Sequence, residues 1–370
     1  MSFTEIPLLD LSLADDPATK PEFLKQLRHA LLEVGFLYLK NVGIPDELFE
    51  KVIKQGIAFF DLPTEEKLRI EMKNAPSFLG YSRLSAEITA GAVDHREQID
   101  LSTEHPLPKP SDPISHNLLA PNQWPSESYL PGFRAAYTEY MNLMGAVSIC
   151  FTSLIAEAID LPPTAFEKYF DEDQQHKLKI VKYPDRGQLT GEGTSQGVGP
   201  HKDSMLTSYL LQASPHRGLQ VQNVKGEWID CPPTPGTLVV AIGQGLEALT
   251  QGVCVSTTHR VLSPEAGAGP RFSIPFFQGV KLDAEFDDLE SVGVGAVPEE
   301  VKEQRRKVVE KAGGKRLDDV EFTFRTGGAA KTLGEATLRN RVKSHPDVGE
   351  RWYPDILRSI REEQARVAAQ

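Results

Sequence analysis

Apolar positions in the first 160 residues recur mainly at helical spacing. Phe23, Leu24, Leu27, Leu31 and Val34 share one face of a helix that Gly35 is placed to stop, and a short strand-like run follows at 36–39. Further helices fit 46–60 and 65–72. Seven prolines between 105 and 131 then break every period and mark a long irregular connection. A long helix is expected over 132–159, where Phe133, Tyr137, Met141, Met144, Val147, Phe151, Leu154 and Ala158 form the stripe of a core-facing scaffold.

From residue 178 the period changes from helical to that of strands. Short β-rich runs follow one another at 178–183, 205–212, 219–222, 227–230, 237–242, 253–260 and 271–277, separated by Gly, Pro and Asn turns. Such spacing implies a sandwich or barrel, and the double-sheet jelly roll is the arrangement that most often also holds a metal. Charged helices return at 298–311, 333–342 and 354–367. No internal repeat or low-complexity tract interrupts the chain.

Composition narrows the function classes. The 370 residues are 40% apolar and 25% charged, as in an ordinary soluble globular protein. A net charge of -12, with no basic block, disfavours nucleic acid and acidic membranes as partners. The first residues lack the basic region of a secretory signal, and no apolar run approaches the roughly 20 residues that cross a bilayer. Cys150, Cys231 and Cys254 are odd in number and widely spaced, which fits a reducing compartment and a cytoplasmic protein.

Three residues stand out chemically. His201 and Asp203 are followed, 56 residues after the aspartate, by His259. Two imidazoles and one carboxylate on one face of a metal leave the other face open, the ligand set of non-haem Fe(II) oxygenases. On a strand, side chains two apart share a face, so one strand could send both His201 and Asp203 inward. A His-Xaa-Asp triplet alone is expected about once by chance in a chain of this size. His345-Pro346-Asp347 is such a twin, and it fails because Pro346 cannot join a sheet ladder and no histidine follows it. His95-Arg96-Glu97 is a partial match in a segment that does not read as part of the barrel. Arg271 and Ser273 form another i, i+2 pair, suited to gripping a carboxylate through a bidentate guanidinium and a hydroxyl.

The segment 178–278 resembles the isopenicillin-N-synthase-like branch of the 2-oxoglutarate and Fe(II)-dependent dioxygenases. The matches are GPHKD, GLQVQ, GEWIDCPPTPGTLVVAIGQGLEALT, STTHRVLSP and RFSIPFF, and the amino-terminal IPLLDL, VGFLYLKNVGIP and AFFDLPTEEK resemble the leading domain of that family. The resemblance implies an α+β fold with a mainly β core, a distorted double-stranded β-helix or jelly roll flanked by N-terminal and C-terminal helices. It divides the chain into a leading domain at 1–125, a scaffold helix at 126–175, the jelly-roll core at 176–280 and a helical extension at 281–370. It further implies that His201, Asp203 and His259 bind Fe(II), and that Arg271 and Ser273 hold the distal carboxylate of 2-oxoglutarate with help from Tyr183. Val181 stands where plant members often carry an asparagine, and AIGQ where they often have NIGD.

The implied chemistry consumes O2 and converts 2-oxoglutarate to succinate and CO2. Hydrogen is removed from an unactivated carbon of a small molecule, an amino acid or a specialised metabolite, with hydroxylation, desaturation or ring closure as the result. No catalytic side chain beyond the metal centre is implied. An alternative is an oxidase of the isopenicillin-N-synthase type, in which Fe(II) and O2 act without 2-oxoglutarate and the Arg-Xaa-Ser pair holds the substrate. Tyr81 and Arg83, in the segment 80–91, are candidates for the substrate side. Lys202 is expected to point away from the ligands, as a solvated or sheet-covering lysine. The loop 184–200 is either a rim or an ordinary long turn, and the C-terminal helices either cover the barrel mouth or serve packing and association.

Overall fold

The computed structural model describes residues 2–89, 92–171, 174–189, 195–284, 297–311, 313 and 331–368. Strand β1 (Leu8–Asp10) is followed by helix α1 (Lys20–His29), which a π turn at Ala30–Val34 extends. Gly35, at φ 73°, ends that segment in a left-handed conformation and delivers the chain into β2 (Phe36–Lys40). A Cβ there would lie 2.3 Å from Thr257 Oγ1, so the same glycine lets the 255–257 segment pack against it. Helices α2 (Asp46–Phe60) and α3 (Thr64–Arg69) follow. The sequence pattern predicts a third helix reaching 72, but it stops at Arg69 because Glu71 bridges to Tyr81 instead.

Strands β3 (Gly80–Ser82), β4 (Ile88–Thr89), β5 (Ala92–Val93) and β6 (Glu97–Ser102) occupy a stretch in which none was expected. After α4 (Phe133–Ala158) come β7 (Lys177–Tyr183), β8 (Gln196–His201), β9 (Thr207–Gln212), β10 (Leu219–Gln222), β11 (Trp228–Asp230) and β12 (Thr237–Ile242). A short α5 (Gln244–Leu249), β13 (His259–Leu262) and β14 (Arg271–Phe277) complete the core. Eight strands form one sheet in the order β1-β2-β12-β9-β14-β7-β6-β3, and β11-β10-β13-β8 form a second. These two sheets make the double-stranded β-helix, the jelly-roll fold implied by the sequence.

Alternation along the large sheet separates core from cavity. Leu178, Ile180, Ile274, Phe276, Leu238 and Val240 point to the side covered by α1, α2 and α4, where one continuous core lies. Their neighbours Lys177, Lys179, Tyr183, Arg271, Ser273, Val239 and Ala241 line a cavity between the sheets. The α4 helix, 26 residues long with a mean hydropathy of 1.4 over its most apolar window, could cross a bilayer by length and composition, although no unbroken apolar run marks it in the sequence. Arg134, Glu139 and Glu157 interrupt it, while Tyr137, Tyr140, Met144 and Phe151 are fully buried against the rest of the protein.

Other strand assignments also differ from the sequence pattern. Residues 253–258 are a buried irregular segment, because their N–H groups are taken elsewhere: Cys254 donates to Thr250 Oγ1 at 3.0 Å, Val255 to Leu31 O at 2.9 Å and Ser256 to Glu247 Oε1 at 3.1 Å. Residues 196–200, placed in a rim or turn from sequence, belong to the strand Gln196–His201; residues 190–194 of that loop lie outside the described residues. Glu97, expected outside the barrel, begins β6, which pairs with β7 throughout its length. Among the expected C-terminal helices, Glu299–Lys311, Leu333–Ser344 and Pro354–Ala368 are present, with an additional helix at Pro346–Trp352.

Two buried histidines outside the candidate metal-ligand set make stability depend on pH. Gly279 N–H donates to His176 Nδ1 at 3.2 Å, and burial pushes the imidazole down to about 4 from 6.5. His345, 1% exposed, is pushed down to about 3 by burial. Below pH 6.5 the unfolded chain protonates both and the folded chain neither, so stability falls with falling pH until the folded values are reached. The pair is expected to remove up to about 2.7 kcal/mol per pH unit between roughly pH 6 and 4. Urea midpoints measured across this range for wild type and His176→Gln check this, since the variant should show a shallower decline.

Candidate metal centre

Pairing of β13 with β8 sets His259 opposite His201, with ring centroids 4.1 Å apart. Each Nε2 lies 3.8 Å from Asp203 Oδ1, and one donor atom from each residue falls within 4.8 Å of the others. Nδ1 of His201 faces Gly199 O at 2.8 Å, and Nδ1 of His259 faces Thr257 O at 3.3 Å. A carbonyl only accepts, so each Nδ1 carries the proton and each Nε2 presents its lone pair to the shared space. Burial lowers both imidazoles, His259 to about 4 with further help from His201, which keeps them neutral as metal ligands must be.

Strand alternation does not deliver Asp203. His201 ends β8, and Asp203 lies in the turn beyond it. That turn is pinned by α5: Gln244 N–H donates to Asp203 O at 2.8 Å, and Gly243 N–H donates to Leu206 O at 2.9 Å. A Cβ at Gly243 would lie 1.8 Å from Met205 O, so no larger residue allows this approach. Ser208 Oγ donates to Asp203 Oδ2 and fixes the carboxylate orientation. The role of Gly243 was not read from the sequence, although the glycine stands in the quoted AIGQ.

Of the two positions expected for Lys202, solvated or sheet-covering, the structure rules out the solvated one. The Lys202 side chain is 4% exposed, and Nζ lies 3.8 Å from Glu247 Oε2. Glu247 Oε1 also accepts from Ser256 N–H at 3.1 Å. One buried carboxylate therefore ties the segment between His201 and Asp203 to the segment that leads into His259.

Deeper between the sheets, Arg271 pairs across from Tyr183, and its guanidinium lies 5.0 Å from the centroid of that ring. Arg271 is 1% exposed, and Nη2 donates to Gln212 Oε1 at 3.3 Å. Its Nε and Nη1, together with Ser273 Oγ, have no partner among the described residues. Buried donors of this kind call for an acceptor, and a carboxylate satisfies several at once. His201, Asp203, His259, Tyr183, Arg271 and Ser273 thus share one cavity of about 310 Å³.

The structure places Tyr81 and Arg83 apart from that cavity. Tyr81 packs on the helical side, 6.1 Å from Phe59, and its hydroxyl donates to Glu97 Oε1 at 2.8 Å. Arg83, its side chain 53% exposed, pairs with Glu71 in a separate surface depression. The cavity wall instead takes Glu87, Arg96, Lys177 and Lys179 from the sheet side and Thr337, Asn340, Arg341 and Ser344 from the Leu333–Ser344 helix. Lysines at alternate positions of the apolar run 177–183 were the available sequence signal. The twin triplet at 345–347 makes no metal cluster among the described residues; His345 lies 3.7 Å from Glu87 Oε1.

Comparison with known proteins agrees with this geometry. Residues 172–280 match the model of the 2OG-Fe(II) oxygenase superfamily, and residues 6–127 match the non-haem dioxygenase in morphine synthesis N-terminal model. The 2-oxoglutarate-dependent dioxygenase frbJ of Dothideomycetidae sp. (strain 11243) is 66% identical over 99% of this chain and 97% of its own length. The chain belongs to the 2OG-Fe(II) oxygenase superfamily. Homoarginine-6-hydroxylase 2-ODD-C23 of Glycine max is 34% identical over 78% of this chain and 89% of its own. A full-length Neurospora crassa protein, crystallised in complex with alpha-KG and thymine, superposes with a TM-score of 0.66, at 26% identity over 84% of this chain and 96% of that one. The protein is accordingly a non-haem iron, 2-oxoglutarate-dependent dioxygenase acting on a small molecule, and the comparisons favour this over an oxidase that dispenses with 2-oxoglutarate.

The buried tie in this oxygenase can be tested apart from catalysis. Glu247→Gln keeps an acceptor for Ser256 N–H but removes the charge facing Lys202, and is expected to cost about 3 kcal/mol. Adding Lys202→Met should recover part of the loss. Denaturant midpoints of the two variants decide it, and a Glu247→Gln protein as stable as wild type would exclude the pairing.

Proposed function

We propose that His201, Asp203 and His259 are the iron ligands of this oxygenase, and that Arg271 and Ser273 seat the distal carboxylate of 2-oxoglutarate beside Tyr183. The observation that carries the reading is the coincidence, in one cavity, of two inward lone pairs facing one carboxylate and of unpartnered buried donors on Arg271 and Ser273. Bound there, Fe(II) supplies the coupling of O2 reduction to decarboxylation of 2-oxoglutarate and oxidation of a carbon–hydrogen bond. The protein's own part is positional. Gly199 and Thr257 carbonyls hold the imidazole tautomers, Ser208 fixes Asp203, and the dry wall around Arg271 strengthens its hold on an anion.

The substrate we infer is an amino acid or a related specialised metabolite, in keeping with the homoarginine-6-hydroxylases among the relatives. A net charge of -12 weighs against nucleic acid or an anionic membrane as partner. We place the enzyme in the cytoplasm, where Cys150, Cys231 and Cys254 stay free thiols.

Iron content after anaerobic loading tests the ligand set. His201→Ala is expected to lose stoichiometric iron, and equal iron in variant and wild type would refute the assignment. Arg271→Leu should retain iron but weaken 2-oxoglutarate binding by about 100-fold, read from the visible charge-transfer band of the anaerobic Fe(II) complex.

A further inference from the structure

The cavity wall beyond the candidate metal centre carries charged groups that do not all pair among the described residues. On the cavity face of the large sheet, Asp100 of β6 stands opposite Lys179 of β7, and Ser102 stands opposite Lys177. Arg341 Nη2 lies 2.7 Å from Asp100 Oδ2, and Lys179 Nζ lies 3.7 Å from Asp100 and 3.5 Å from Glu87. Arg96 pairs with Glu87 at 2.7 Å and with Asp94 at 3.2 Å. Three carboxylates, Glu87, Asp94 and Asp100, are thus shared among three cations, Arg96, Lys179 and Arg341.

Lys177 is the fourth cation. It lines the cavity, and among the described residues its ammonium makes no hydrogen bond or ion pair, Asp100 acting on it only from beyond ion-pair distance. Its cross-strand neighbour is engaged elsewhere: Ser102 Oγ accepts from Gln175 Nε2 at 3.3 Å and donates to Thr103 O at 3.1 Å. Burial, aided by Arg341, pushes the ammonium down to about 7. An unpaired cation in such a wall is costly unless an anion arrives to meet it. Thr337, Asn340, Arg341 and Ser344 of the Leu333–Ser344 helix complete this end of the cavity, and that helix lies beyond the residues that match the oxygenase model.

Sheet register gives the distances. Lys177 pairs with Phe277, and Phe277 pairs with Ser208, the residue that fixes Asp203. Two strand spacings, roughly 10 Å, therefore separate the backbone of Lys177 from that of Ser208 at one level of the sheet. Arg271 lies six positions along β14 from Phe277, roughly 20 Å away, so an anion at Lys177 does not compete for the Arg271 seat.

We propose that Lys177 anchors a carboxylate of the substrate, and that the carbon to be oxidised lies several bonds from that carboxylate, toward Asp203. The single uncompensated charge matches a singly charged carboxylate better than a dianionic phosphate. This deepens the amino-acid reading above and rests on the proposed iron site.

The test uses full-length protein loaded anaerobically with Fe(II) and 2-oxoglutarate, titrated calorimetrically with norleucine, lysine and homoarginine and with the primary amide of each. At least one acid should bind wild type 30-fold or more tightly than its amide. Lys177→Met should bring that acid to the level of the amide, and Lys177→Arg should stay within a few-fold of wild type. Lys177→Met should also melt at or above the wild-type temperature, because it removes an unpaired, half-buried charge. Amides that bind as well as acids, acids that bind Lys177→Met as they bind wild type, or a wild type that binds none of the acids would each overturn the anchor. The charge-transfer band of the same samples reads the iron site separately: a wild type without the band overturns the ligand set, whereas an intact band with no acid preference overturns Lys177 alone.

Discussion

The candidate metal centre depends on a carboxylate outside the proposed ligand set. Glu247 sits in the short helix α5, buried, with one oxygen toward Lys202 and the other accepting from Ser256 N–H. Lys202 separates His201 from Asp203, and Ser256 lies three residues before His259. Two segments that adjoin different strands, β8 and β13, are thereby held in one relation. The approach of α5 itself depends on Gly243, which brings backbone against backbone where a methyl group would collide with Met205 O. A buried ion pair contributes little net stability, yet breaking one is expensive, so such a tie fixes geometry more than it adds free energy.

The cavity is divided by charge. At one end Arg271 and Ser273 present donors without partners among the described residues, the proposed seat of 2-oxoglutarate. At the other end, among the described residues, six charged groups are matched and Lys177 is left over. Between them lie the two neutral imidazoles and Asp203. Low dielectric makes each end selective, because a ligand that leaves either cation unmatched keeps the cost of its burial. The helix Leu333–Ser344 closes the Lys177 end, so the C-terminal extension takes part in the cavity rather than only packing beside it.

Much of the fold was legible because its period is local. Leu178 and Ile180 alternate with Lys177 and Lys179, and Phe272, Ile274 and Phe276 alternate with Arg271 and Ser273, as a sheet with two different faces demands. The stripe on α4 and the stop at Gly35 were equally plain. The region of β3 to β6 is hidden in the sequence because its cavity-facing positions, Gln98, Asp100 and Ser102, are polar and buried, which mimics an exposed connection. Residues 253–258 mislead in the opposite way: their β-branched side chains suit a strand, but their N–H groups are claimed by Thr250, Leu31 and Glu247.

Residue chemistry and local period are properties of the chain itself: two histidines and an aspartate suited to iron, an arginine and a serine on one strand face, and a β-rich core between helices. Folding settled which residues met. It turned Asp203 inward from a turn rather than a strand, buried Lys202, carried Tyr81 to the helical core and Arg83 to the surface, and brought Arg341 to Asp100 across 241 positions. The reason is physical. A side chain's period is set by its neighbours in the chain, but the burial and pairing of a charge are set by partners whose separation along the sequence leaves no trace in either.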